Sequence, residues 1–208
     1  NTFEKYKNKI IKHKSETLTR ENALEAVISA LDLTIPVIST TGKISRELYE
    51  LRKTISKKEQ RDFLTVGGMG HACSIAAGFA NSYKGKVVCL DGDGAMIMHM
   101  GALTTSANSN NLLHIVFNNG AHESVGGQAT MGLELSLKEI AAKCGYREIY
   151  EANSEESIKK VLADAVKKNV SIFIEITCSN SSRPDLGRPE KSVRKNRDDF
   201  MNFVNKRI

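Results

Sequence analysis

The stretch Val87-Val88-Cys89-Leu90-Asp91-Gly92-Asp93-Gly94-Ala95 decides the fold. Its first four residues are apolar without alternation, which reads as a short strand buried on both faces. Two aspartates and two glycines then end the run. Carboxylates at the tip of a buried strand are costly without a partner. The loop therefore suits a divalent cation with a phosphate, and a plain Asp-Gly turn is the ordinary alternative. It is not an EF-hand, because Ala95 stands where that loop needs an oxygen ligand.

Similar runs lie on either side: Ile35 to Ser39, Leu112 to Phe117, Arg147 to Tyr150 and Ser171 to Ile176. Helical spacing appears between them, near 44–53, 71–82, 99–108, 136–144 and 154–168. An earlier helix opens at Thr19, a good cap, and carries Ala23, Leu24, Val27, Ile28 and Leu31 on one face. Strands alternating with helices predict an α/β fold, a three-layer α/β/α sandwich with a mainly parallel sheet. Ligands in such sheets lie at the carboxyl ends of the strands. The expected division is a Lys-rich linker or N-terminal extension over 1–18, a binding domain over 19–180, and a tail with a short helix over 181–208. Two of the three prolines fall in that tail.

The chain has 208 residues and a net charge of +6. That charge is not on the domain. Residues 1–20 and 183–208 each carry +4, and the rest carries −2. A nucleic-acid reader would carry a basic face on its folded body, with aromatics between the cations. Here aromatics are 6% and Trp is absent, so no nucleic-acid partner is expected. Nor is a membrane partner, because no apolar run nears the length of a span. Cys73, Cys89, Cys144 and Cys178 are too scattered for zinc pairing. Reduced, mostly buried thiols in a cytoplasmic protein are expected, with a reactive Cys73 as the lesser alternative.

Three further loops follow strand-like runs. Thr40-Thr41-Gly42-Lys43 places hydroxyls, a glycine and a cation at a helix start, which suits an anion. Gly67-Gly68-Met69-Gly70 permits close backbone approach. It matches neither a Walker loop nor a dinucleotide fingerprint. Asn118-Asn119-Gly120-Ala121-His122 offers neutral amides, which complete a Mg²⁺ shell without adding charge. An Asn-Gly hairpin turn is the alternative there, weakened because no alternating strand follows.

Asp93 and Asn119 stand 26 residues apart, across one helix and one strand. This Gly-Asp-Gly … Asn-Asn pairing resembles the signature of thiamine-diphosphate enzymes, and the likeness covers roughly 20–190. The wording of 40–48, 67–72, 118–128 and 182–189 is similar to the phosphonopyruvate decarboxylases, with the sulfopyruvate decarboxylase β subunits as close relatives. The resemblance implies thiamine diphosphate and Mg²⁺ as cofactors. Asp93, the Asn119 side-chain oxygen and the Ala121 carbonyl would hold Mg²⁺. The N–H groups of Gly94 and Ala95 would bind diphosphate. Thr41, Gly42 and Lys43 would reach the same anion or the pyrimidine edge. In the glycine loop, with Gly68 between them, the Gly67 carbonyl would accept from the cofactor's amino group and Met69 would wedge the cofactor into its bent shape. His122, Lys43 and the N–H groups of Gly126 and Gly127 are candidates for the anionic head of a three-carbon 2-oxo acid.

The resemblance also implies a partner. The family ionises the cofactor with a glutamate from a pyrimidine-binding domain, which nothing in this sequence encodes. The chain is expected to hold half an active site, to be inactive alone, and to work in an assembly of at least a dimer. Two other classes stand beside this reading. Asp91-Gly92-Asp93-Gly94 also resembles the nucleophile loop of haloacid-dehalogenase-type phosphatases, although Ala95, the mid-chain position and the lack of a later acidic pair after a strand disagree, Asp198-Asp199 lying in the tail. A non-catalytic interaction domain is the third, against which the intact Asp93, Asn119 and glycine loop argue.

Overall fold

The computed structural model describes residues 18–55 and 61–206. The helices are α1 (Arg20–Ala30), α2 (Lys43–Ile55), α3 (Ala72–Ala80), α4 (Asp93–Met98), α5 (Ala102–Ser106), α6 (Leu137–Lys143), α7 (Glu155–Ala165) and α8 (Val193–Asn205). The strands are β1 (Val37–Ser39), β2 (Asp62–Leu64), β3 (Val87–Gly92), β4 (Leu112–Asn118), β5 (Ala121–His122), β6 (Gln128–Ala129), β7 (Glu148–Ala152) and β8 (Ile172–Thr177).

Six strands form one parallel sheet in the order β2-β1-β3-β4-β8-β7. One core packs α1, α2 and α7 on one face. The other packs α3, α5, α6 and α8 on the opposite face. This is the three-layer α/β/α sandwich that the alternation predicts. β3 and β4 are buried on both faces because both layers cover them: Val88 and Leu90 enter the first core, Val87 and Cys89 the second. Thr19 caps α1 as expected, its hydroxyl accepting from Asn22 N–H at 3.1 Å.

Three features depart from the expected elements. Strand β2 was not among the predicted runs. Its three residues are too few to show a period, and β1 alone pairs with it. The helix expected over 99–108 is the shorter α5, and an unexpected α4 starting at Asp93 precedes it across a break at His99–Gly101. An antiparallel pair does follow Asn119-Gly120, since β5 pairs β6. Its turn is Glu123 to Gly127, so Asn-Gly is still not the hairpin turn. Of the linker expected over 1–18, all but Leu18 lies outside the described residues. The 181–206 segment ends in α8, whose Phe200, Phe203 and Val204 are buried in the second core.

Candidate functional site

The chain leaves β1 toward β2 on one side and leaves β3 toward β4 on the other. Between β1 and β3, helices therefore diverge and a crevice opens at the strands' carboxyl ends, the usual ligand position in such sheets. An open pocket of about 430 Å³ lies there. The tip of β1 gives it Thr40, Thr41 and Lys43, the tip of β3 gives Gly92 to Ala95, and the tip of β4 gives Asn119, Ala121 and His122. Met69 reaches it from the glycine loop. Four loops far apart in sequence thus meet at one crevice. Gly42, Gly67, Gly68, Gly126 and Gly127 stand outside the lining, and Gly67 and Gly68 are exposed.

Asp93 is 2% exposed. It accepts from the Thr130 hydroxyl and from the Gly94 and Asn119 N–H groups. Burial nonetheless pushes its carboxyl above the usual range. Among the described residues no lysine or arginine pairs with it. Two glycines make room around it. A Cβ on Gly132 would overlap the Asp93 carboxylate and come within 2.6 Å of Asn118 Oδ1. A Cβ on Gly94 would overlap the His122 ring. Lys43 donates to Ser182 Oγ. Burial first, and then the Arg20 charge, lower its ammonium pKa.

Several residues of the site were not anticipated. Arg20 lines the pocket from α1 and is 3% exposed. Its ion pairs go to Glu47 and Glu123. A cation in the first turn opposes the helix dipole, and that was the one signal of it in the sequence. Asn118 Nδ2 donates to Gly132 O and to Glu175 Oε1, each at 2.7 Å. This ties the β4 tip to the loop that carries Thr130 and Gly132. Arg183, within the 182–189 motif, pairs with Glu21 of α1 and Glu50 of α2. That motif is thus a strap across two helices beside the site.

A second polar cluster lies inside the sheet layer. His114 Nε2 stands 3.5 Å from Asp91 Oδ2, both side chains fully buried. His114 Nδ1 meets the Tyr146 hydroxyl at 2.9 Å. Cys73 Sγ donates to Ser106 Oγ at 3.1 Å and is 3% exposed. Burial alone would raise the Cys73 thiol, but His114 and Ser106 outweigh it and the net shift is downward. Its burial, rather than its pKa, keeps it from solvent reagents. Asp91 cannot serve as a phosphatase nucleophile, because its carboxylate is enclosed and paired.

The donor set fits a hard cation and an anion together. Asp93 supplies an uncompensated buried carboxylate, and Asn119 Oδ1 adds a neutral oxygen. The buried Thr40 hydroxyl at the pocket wall has no hydrogen-bond partner among the described residues. Lys43 and the start of α4 supply positive charge and N–H donors nearby. Strand-tip carboxylate, amide loop and glycine loop around one crevice define a cofactor-binding domain for a diphosphate and its metal.

Residues 41–176 match the family described as "Thiamine pyrophosphate enzyme, C-terminal TPP binding domain", and the chain belongs to it. It is 37% identical over 174 residues to a phosphonopyruvate decarboxylase of Streptomyces viridochromogenes, covering 83% of this chain and 43% of that protein. It is 32% identical over 165 residues to a sulfopyruvate decarboxylase subunit β of Methanocaldococcus jannaschii, covering 72% of this chain and 82% of that protein. The chain thus spans less than half the length of the Streptomyces relative. Among solved structures, a benzoylformate decarboxylase from Polynucleobacter necessarius superposes with a TM-score of 0.66 at 17% identity, over 84% of this chain and 36% of that one. That likeness is one of fold.

Proposed function

We propose that this chain supplies the diphosphate and Mg²⁺ half of a thiamine-diphosphate-dependent 2-oxo acid decarboxylase. The substrate is phosphonopyruvate, and the products are phosphonoacetaldehyde and CO₂. The observation that carries this is the buried Asp93 carboxylate, without a cation of its own, beside Asn119 in the crevice between β1 and β3. Asp93, Asn119 Oδ1 and the Ala121 carbonyl hold Mg²⁺. Gly94 and Ala95 N–H groups, with Thr41 and Lys43, hold the diphosphate, and Gly42 lets that loop turn. When bound, thiamine diphosphate supplies the electron sink that allows a 2-oxo acid to lose CO₂. Met69, on the pocket wall, packs against the cofactor. The Gly67 carbonyl, with Gly68 next to it, accepts from the cofactor's amino group. His122 and Lys43 lie where an anionic head group needs donors, with Gly126 and Gly127 N–H groups at the rim.

The pyrimidine-binding region completes the site, in a cytoplasmic assembly of at least two such halves. Val66, Met98, Val125, Met131 and Leu133 are exposed apolar side chains, Met98 ending α4 and the others on the segments after β2 and β4 that also carry pocket residues. An apolar rim of this kind suits a covering partner. The 37% identity to the phosphonopyruvate enzyme favours that substrate over sulfopyruvate, the second reading. The test is Mg²⁺-dependent retention of thiamine diphosphate by the assembled protein, with Asp93→Ala alongside. Retention by wild type, lost in Asp93→Ala, is the expected result. Retention by both, or by neither, sinks the assignment of the site. Turnover of the two substrates by the same preparation then separates phosphonopyruvate from sulfopyruvate.

A further inference from the structure

The side-chain amide of Asn119 is gripped by two groups of opposite chemistry. Glu123 Oε2 lies 3.0 Å from its Nδ2, and Ala121 N–H donates to its Oδ1 at 3.1 Å. A carboxylate only accepts and a backbone N–H only donates. Turning the amide over would set oxygen against oxygen and N–H against N–H. The orientation is therefore fixed by bonding.

Glu123 is fixed in turn. Arg20 Nη1 donates to the same Oε2. Arg20 is itself clamped by Glu47 of α2, through Nε at 2.9 Å and Nη2 at 2.6 Å. The three side chains are 4%, 1% and 8% exposed for Arg20, Glu47 and Glu123. A buried Glu–Arg–Glu set is typically no more stabilising than well-packed apolar groups of equal volume. Stability therefore gives no reason for it. Arg20 and Glu123 themselves reach the pocket wall, and there Glu123 holds the Asn119 amide.

We propose that Glu123, braced by Arg20 and Glu47, is a positioning residue that holds the Asn119 amide oxygen toward the pocket as a ligand for the divalent cation. This rests on the cofactor reading above. Neighbours that orient a metal ligand from outside the coordination sphere are worth about 10- to 100-fold in metal affinity. The braced oxygen is ready before the metal arrives, so binding does not have to order it.

The test is a titration of the assembled protein, this chain with its pyrimidine-binding region, with Mn²⁺ in the presence of thiamine diphosphate. Free Mn²⁺ is read by electron paramagnetic resonance, so turnover plays no part. Glu123→Leu, which removes the acceptor, weakens Mn²⁺ binding about 10-fold, whereas Glu123→Gln can keep an accepting oxygen at the same place. Asn119→Asp also weakens it, by setting two carboxylates face to face. Adding Glu123→Gln to Asn119→Asp restores most of the lost affinity, because the new amide donates to the new carboxylate. Such rescue is not expected of a residue that merely supports the fold, whose loss would add to the other. Wild-type affinity in Glu123→Leu, or no rescue of Asn119→Asp by Glu123→Gln, overturns the inference. Failure of the wild type itself to bind Mn²⁺ with the cofactor is a different result: it overturns the cofactor reading and the inference with it.

Discussion

Gly132 shows how little slack the site has. It packs so close to Asp93 and Asn118 that no methyl group fits. Gly132→Ala is expected to displace the Asp93 carboxylate and to cost about 1–3 kcal/mol in stability through overpacking. Cofactor retention should fall with it, and a variant that melts and binds like wild type would contradict this crowding. His114 is a different kind of residue, a fully enclosed titratable group. Burial works to lower its pKa, but Cys73 on α3, Tyr146 after α6, and Cys89 and Asp91 on β3 together hold it well above the ordinary value. A histidine raised in this way stabilises the fold fully below its unfolded pKa of about 6.5. That contribution is lost as pH rises through the folded value. Denaturant unfolding of His114→Gln should show a deficit of about 3–5 kcal/mol near neutral or lower pH. The deficit should shrink in alkaline buffer. An equal gap at both pH values would mean that the pair is not charged.

At the scale of elements, β2 depends on a helix that follows it by more than a hundred residues. It is an edge strand of three residues, paired with β1 alone. Asn196 of α8 acts as its missing neighbour. The side chain accepts from Leu64 N–H at 3.0 Å and donates to Asp62 O at 3.0 Å. It is 5% exposed, so its loss leaves two strand groups without a partner. Asn196→Ala should destabilise the chain by about 1–3 kcal/mol. Hydrogen exchange should quicken at Leu64 first, since edge strands are the natural site of opening. Unchanged exchange there would show that α8 is not what secures the edge. Because β2 leads into the glycine loop at 66–70, the same helix indirectly positions Met69.

For the whole molecule, the crevice is open on one side and its rim is apolar. Val66 and Val125 are 66% and 64% exposed. If the pyrimidine-binding region covers this rim, the chain alone should decarboxylate nothing measurable, and adding that region should restore turnover. A charge on the rim, Val66→Asp with Val125→Asp, should weaken association while leaving the melting of the separate chain near wild type. Turnover by the chain alone, or tight association despite both charges, would be incompatible with a shared site. Among the described residues no helix is long and apolar enough to cross a membrane.

Periodicity and local composition were sufficient for the α/β architecture. A strand buried on both faces, such as Val87 to Leu90, declares itself as an unbroken apolar run, and capping chemistry such as Thr19 acts over three residues. The loops that meet at the crevice were legible for the same reason: Asp93 and Asn119 each sit beside glycines or amides at the end of such a run. The short strand β2, the break between α4 and α5, and the β5–β6 pair were not legible, because none is long enough to carry a period. The brace from Glu47 through Arg20 and Glu123 to Asn119 is the extreme case. Arg20 and Glu123 are 103 positions apart. Their meeting depends on strand order, which brings α1, α2 and the β4 tip to one crevice. Sequence reports which groups each segment will bury or expose. Which buried charges then face one another is decided only when the sheet is assembled, because each can stay ionised only beside a partner supplied by another part of the chain.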